Sequence, residues 1–134
     1  MSLSVIPCVG AIVFDAQGRL LMIQRGHDPG AGLWSIPGGR IEPGETDQQA
    51  LVREILEETN LQVSVGKIIG RVQREGLGGT VIDIRDYAAT VTGGTLRAGD
   101  DAADARWVAA SELAHLEVTE GLIEALTEWG VLGK

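Results

Sequence analysis

The stretch from Gly38 to Leu61 constrains this chain more than any other: a glycine-rich loop runs straight into an amphipathic helix. Thr46 stands where an N-cap belongs, and Gln49 three residues later completes a capping box. No Gly or Pro interrupts Thr46 to Thr59, and Leu51, Val52, Ile55 and Leu56 recur at helical spacing, which predicts one apolar stripe. On the other side, at ~100° per residue, Glu54 and Glu58 stack one turn apart. Glu57 lies beside them, and Asp47 lies further toward the N-terminus. Arg53 is the only cation in this segment.

Such a face is costly without a partner. Like charges at i, i+4 destabilise an isolated helix by roughly 0.2–0.5 kcal/mol per pair. Glu57 and Glu58 also approach the helix C-terminus, where the macrodipole disfavours anions. Two readings follow from the residues alone: a solvated acidic face, or carboxylates collected by a divalent cation. Magnesium takes oxygen ligands, usually a few carboxylates together with substrate phosphates and waters.

The spacing decides between them. Gly39, Glu45, Arg53-Glu54, Ile55, Glu57-Glu58 and Leu61 stand at the intervals of the Nudix box, and the segment resembles that family. A chance match is on the order of one in 10⁸ per starting point at average residue frequencies, so the signal is specific. One position departs: Asn60 stands where the family usually has Gly. Asn tolerates positive φ better than most residues, so the helix is expected to end there in a left-handed conformation.

The resemblance implies a single α/β domain over residues 1–134, an α/β/α sandwich around a mixed β-sheet. It implies hydrolysis of the diphosphate linkage in a nucleotide or nucleoside diphosphate derivative, with Mg2+ as cofactor and Mn2+ as the alternative ion. By position, Glu54, Glu57 and Glu58 look like metal ligands, joined by the backbone carbonyl of Gly38. Glu45 and Arg53 look like a pair that orients the loop against the helix, a supporting role expected beside a metal. Family habit also implies a homodimer, with Ile6 to Phe14 as a contact.

Length and charge agree with this. A chain of 134 residues suits one domain with one core. A net charge of −8 argues against general nucleic-acid or anionic-membrane binding, while a small phosphorylated molecule stays accessible through a metal and local arginines. Cys8 is the sole cysteine and sits in an apolar run, which predicts a buried strand thiol. No basic, apolar leader opens the sequence and no stretch approaches ~20 apolar residues, so a cytoplasmic protein is expected.

The remaining chain predicts strands at Ile6 to Phe14, Arg19 to Gln24, Leu61 to Arg74, Thr80 to Val91 and Ala105 to Val108. The turn Asp15–Gly18 predicts a hairpin between the first two. Gly66 marks a break in the long strand. Ser111 is read as the cap of a short helical turn, and Thr119 as the cap of a last helix to Trp129.

Further candidates carry two readings each. Arg25 either contacts phosphate through its guanidinium fork or is a solvated loop arginine. Arg40, inside the loop, is a second phosphate candidate. Trp34 either stacks on a base or packs in the core. Asp100 and Asp101 either form a turn or reach the metal cluster as the base that activates water. A Nudix-fold sensor that binds nucleotide without cleaving it, and a calcium-stabilised structural helix, are the competing functions. The sensor is disfavoured because all the box acids are kept. The structural helix leaves the Gly38-Gly39 loop and Arg53 without purpose. The proline that marks some ADP-ribose hydrolases is absent, with Leu77 at its place, so the sequence leaves the substrate open.

Overall fold

The computed structural model describes residues 4–27, 30–99 and 102–132. Seven strands and three helices follow in the order β1 (Val5–Val13), β2 (Leu20–Arg25), β3 (Trp34–Ser35), β4 (Gly38–Arg40), α1 (Asp47–Thr59), β5 (Leu61–Glu75), β6 (Val81–Gly94), β7 (Ala102–Val108), α2 (Ala110–Leu113) and α3 (Leu122–Glu128), with a 3₁₀ turn at Leu77–Gly79. A mixed four-stranded sheet has the order β4-β1-β6-β5, and a three-stranded antiparallel sheet has the order β3-β2-β7. β1 runs parallel to β6 and antiparallel to β4. This is the expected mixed α/β sandwich.

Two cores form because the strands alternate their faces. Val9, Ala11 and Val13 of β1 face the first core with Leu51 and Ile55 of α1. Ile12 faces the second core with Trp34, Ile36, Leu122 and Leu126. β2 serves both: Leu21 enters the first core, Leu20 and Met22 the second.

The expected hairpin between β1 and β2 does not form. Phe14 and Leu20 make a single antiparallel bridge, after which the strands diverge into different sheets. The turn itself is closed by backbone and side chain together: the Gly18 N–H donates to Asp15 O and the Asp15 N–H to Arg19 O, and Asp15 Oδ1 accepts from the Gln17 and Arg19 N–H groups at 3.0 and 2.8 Å.

The apolar stripe of α1 also differs from expectation. Leu51 and Ile55 are fully buried with Ala50 and Thr59, whereas Val52 and Leu56 are 40% and 46% exposed. The buried face is turned by one position toward Ala50 and Thr59, and burying each large side chain there is worth about 1.5–3 kcal/mol.

The capping box forms as expected: Gln49 N–H donates to Thr46 Oγ1, and Thr46 N–H to Gln49 Oε1. Asn60 ends the helix at φ 63°, and its side-chain amide donates to Thr95 O. The late carbonyls are satisfied from outside, Glu58 O by Gly99 N–H and Thr59 O by Arg97 N–H. At the other end Asp47 is tied to β6 by Tyr87 Oη at 2.6 Å and Arg85 Nη1 at 3.1 Å, which fixes the helix over the sheet.

The two later caps fall elsewhere. Ser111 lies inside α2, whose N-cap is Ala109, with Glu112 Oε1 accepting from the Ala109 N–H. α3 begins after Gly121 at φ 83°, a left-handed conformation that favours glycine over Thr119. The break at Gly66 is a pair of register shifts in β5 between Val65 and Gly70.

Candidate active site

The loop from β4 to α1 brings the box residues together at one edge of the four-stranded sheet. β4 has only β1 as a strand neighbour, so its outer backbone groups are left to side chains of α1. The Gly38 N–H donates to Glu58 Oε1 at 2.8 Å, joining the helix to that edge. Gly39 lies against Glu54: a Cβ on Gly39 would stand 2.5 Å from Glu54 Oε2. Gly39 therefore lets the Glu54 carboxylate meet the backbone directly, while a Cβ on Gly38 would collide with the Val9 carbonyl of β1.

Arg53 binds these parts into one unit. Its Nε and Nη2 donate to Glu45 Oε2 and Oε1 at 2.7 and 2.9 Å, a bidentate pair. Nη2 also donates to Arg40 O at 3.0 Å, and Nη1 donates to Glu54 Oε1 and Glu57 Oε1 at 2.8 and 2.9 Å. Loop, strand and helix are thus held by one guanidinium. The Arg53 hydrogen bonds, with the Glu42 N–H donating to Glu45 Oε1, hold the Glu45 carboxyl down to about 2. Glu45, and then Glu54 and Glu57, raise the Arg53 pKa further above its ordinary value.

The repulsion expected along the acidic face is largely offset by Arg53. Glu54 is mostly buried and Glu57 is 57% exposed. Asp47, read as part of the same face, points instead to Arg85 and Tyr87. Among the described residues, no three His, Cys, Asp or Glu side chains are gathered closely enough to hold an ion by themselves. The donors still fit a hard divalent cation in kind. Glu54, Glu57 and Glu58 offer carboxylate oxygens, the donor type such an ion takes.

Arg25 ends β2 and folds over Gly30, with its Nε 3.2 Å from where a Cβ there would be. Arg40 is exposed on β4. Trp34 is 4% exposed in the second core, and the Arg106 guanidinium covers its ring at 4.7 Å. Asp100 and Asp101 lie outside the described residues, next to Gly99, which rests on the Glu57 carbonyl at the end of α1. Cys8 is half-buried on β1, and burial pushes its thiol up.

Sequence reasoning missed Asp86 on β6. It is 4% exposed, and its Oδ1 has no hydrogen-bond partner. Burial pushes its carboxyl up to about 6, against the pull of Arg74. The one signal in the sequence is an acid at an inward position of an alternating strand.

Known proteins similar to this chain point the same way. The family model described as NUDIX domain matches residues 5–129. The chain is 37% identical over 91 residues to the CTP pyrophosphohydrolase of Escherichia coli, covering 67% of each chain. It is 35% identical over 120 residues to the ADP-ribose pyrophosphatase of Methanocaldococcus jannaschii, covering 87% of this chain and 70% of that one. Its fold is similar to that of a MutT protein from Methanosarcina mazei, with a TM-score of 0.82 at 21% identity over 96% and 95% of the two chains.

Proposed function

The chain belongs to the NUDIX family and is a Nudix pyrophosphohydrolase, and on that premise we propose that it cleaves the diphosphate linkage of a nucleoside triphosphate or nucleoside diphosphate derivative with the help of a divalent metal. The single observation that carries the metal-dependent reading is the Arg53 hub, which holds three acids of the helix and loop beside two bare glycines.

Glu54, Glu57 and Glu58, with the Gly38 carbonyl, are the groups that would hold magnesium, or manganese in its place. Such an ion would supply positive charge to the phosphates and favour deprotonation of the attacking water. The protein's own share is positioning. Glu45 and Arg53 keep the loop registered on the helix, and the Gly38 N–H orients the Glu58 carboxylate. Arg25 and Arg40 are the guanidinium groups proposed to contact phosphate.

Hydrolysis needs one proton acceptor. Water adds to phosphorus, the anhydride P–O bond breaks, and the proton from water passes to a carboxylate. Glu54 is first in line on the helix, and Asp100 or Asp101 is the alternative. The products are a nucleoside monophosphate and the other phosphorylated group. A panel of nucleoside triphosphates and nucleoside diphosphate sugars, assayed with and without magnesium, tests this. Turnover of at least one compound only with the ion supports the enzyme; binding without turnover across the panel favours a sensor.

No helix among the described residues is long and apolar enough to cross a membrane. A small nucleotide is the proposed partner, and a homodimer and a cytoplasmic setting are proposed with it.

A further inference from the structure

Asp86 is the only buried side chain among the described residues whose polar atom lacks a partner. A buried carboxylate without a donor is costly, and a carboxylate retained in such a place asks for a ligand. Arg74 is near enough to act on it through space, but the Arg74 Nη2 extends toward Gly121, 3.1 Å from where a Cβ there would be.

The surroundings are shaped around that carboxylate. One cross-strand row runs Gly38, Gly10, Asp86, Gly70 through all four strands of the sheet. A Cβ on Gly10 would collide with Asp86 Oδ1 and would stand 3.2 Å from Ile36 Cδ1. A Cβ on Gly70 would collide with the indole of Trp129. Asp86 thus lies between Ile36 on one side and the half-buried Trp129 on the other, above a floor with no side chains. The row begins at Gly38, whose N–H holds Glu58 at the edge of the sheet. Two interstrand spacings of ~4.8 Å separate Gly38 from Asp86. That reach matches a nucleotide with its diphosphate at the edge and its base over the row.

We propose that Asp86 reads the nucleobase, accepting a hydrogen bond from an exocyclic amino group of the base. The assignment rests on the reading of the chain as a nucleotide pyrophosphohydrolase and narrows its substrates to amino-bearing bases. An ionised carboxylate only accepts, so it attracts an amino group and repels a carbonyl at the same place. Trp129 offers an aromatic surface beside it for stacking. Cytosine against uracil, and adenine against hypoxanthine, are the pairs that differ by this one group.

The test measures kcat/KM with magnesium for CTP against UTP and for ATP against ITP. Alongside it, calorimetry measures Kd without magnesium for CMP against UMP and AMP against IMP. In at least one pair the amino member should be favoured by about 10- to 100-fold, the size expected for a hydrogen bond to a charged group. D86N, whose amide can turn either atom to the base, should narrow that preference to about threefold or less. Equal treatment of both pairs by the wild-type protein overturns the assignment, as does a preference that survives in D86N. If D86N fails to fold by circular dichroism, the wild-type comparison alone decides. Preference in binding without turnover of any nucleotide keeps Asp86 and removes the hydrolase reading. Turnover without preference does the reverse.

Discussion

Arg53 and Glu45 meet through two parallel hydrogen bonds, Nε to Oε2 at 2.7 Å and Nη2 to Oε1 at 2.9 Å. They are eight positions apart, one in the loop and one in the helix, so the pair sets where the loop lies.

The first prediction follows from its acidity. The Glu45 carboxyl is held at about 2 in the fold, below its ordinary 4.5. A depressed acid stabilises the fold above its unfolded pKa, and that contribution is lost as pH falls through the folded value. E45Q should therefore lower Tm at pH 6–8. The gap to wild type should shrink between about pH 4.5 and about pH 2. Thermal unfolding across this range checks it; a gap independent of pH contradicts the assignment.

Gly39→Ala should remove most turnover while the protein remains folded. Its Cβ would stand 2.5 Å from Glu54 Oε2, closer than such contacts allow, so the carboxylate must move. A loss of about 10²-fold or more in kcat/KM is expected, since small displacements of positioned groups carry that cost. Circular dichroism and a turnover assay separate the two effects; a wild-type rate sinks the account of the glycine cradle.

Asp86 gives a stability effect of opposite sign. Its folded carboxyl is raised to about 6 by burial, above the unfolded value, so its ionisation costs stability as pH rises. D86N should raise stability at pH 8 by up to about 3 kcal/mol, with the gain shrinking from about pH 6 downward and gone below about pH 4. Arg74, the charged neighbour that pulls the other way, reduces the gain. Urea unfolding at both pH values measures it, and a destabilised D86N at pH 8 is the contrary result.

The water-activating base is open to the same approach. If Asp100 or Asp101 accepts the proton, Asp100→Asn or Asp101→Asn should lower the rate by about 10²–10⁴ and change its pH profile. If both variants keep rates and profile, Glu54 takes the role.

The box helix was legible because its signals are local. Thr46, Gln49 and Asn60 act within a turn of their own helix, and the spacing of Glu54, Glu57 and Glu58 needs no knowledge of the sheet. The row from Gly38 to Gly70 was not legible. It depends on β1 pairing in parallel with β6, a contact between distant segments that leaves no local pattern. The hairpin failed for a related reason. Two apolar runs around Asp15–Gly18 resemble one, but the turn does not say which sheet each strand joins after Phe14 and Leu20 bridge. The stripe on α1 was right in period and wrong in phase, because the neighbouring strands decide which side of Leu51 and Ile55 is covered.

The central claim is that the helix acids hold the metal on which hydrolysis depends. Turnover of the preferred nucleotide by wild type and E58Q, titrated against magnesium, tests it most directly. Glu58 is anchored on the Gly38 N–H one turn from Glu54, and E58Q removes its charge while keeping its shape. The account predicts a folded E58Q whose rate is lower by about 10² or more at low magnesium. A folded E58Q that turns over substrate at the wild-type rate in low magnesium would contradict it.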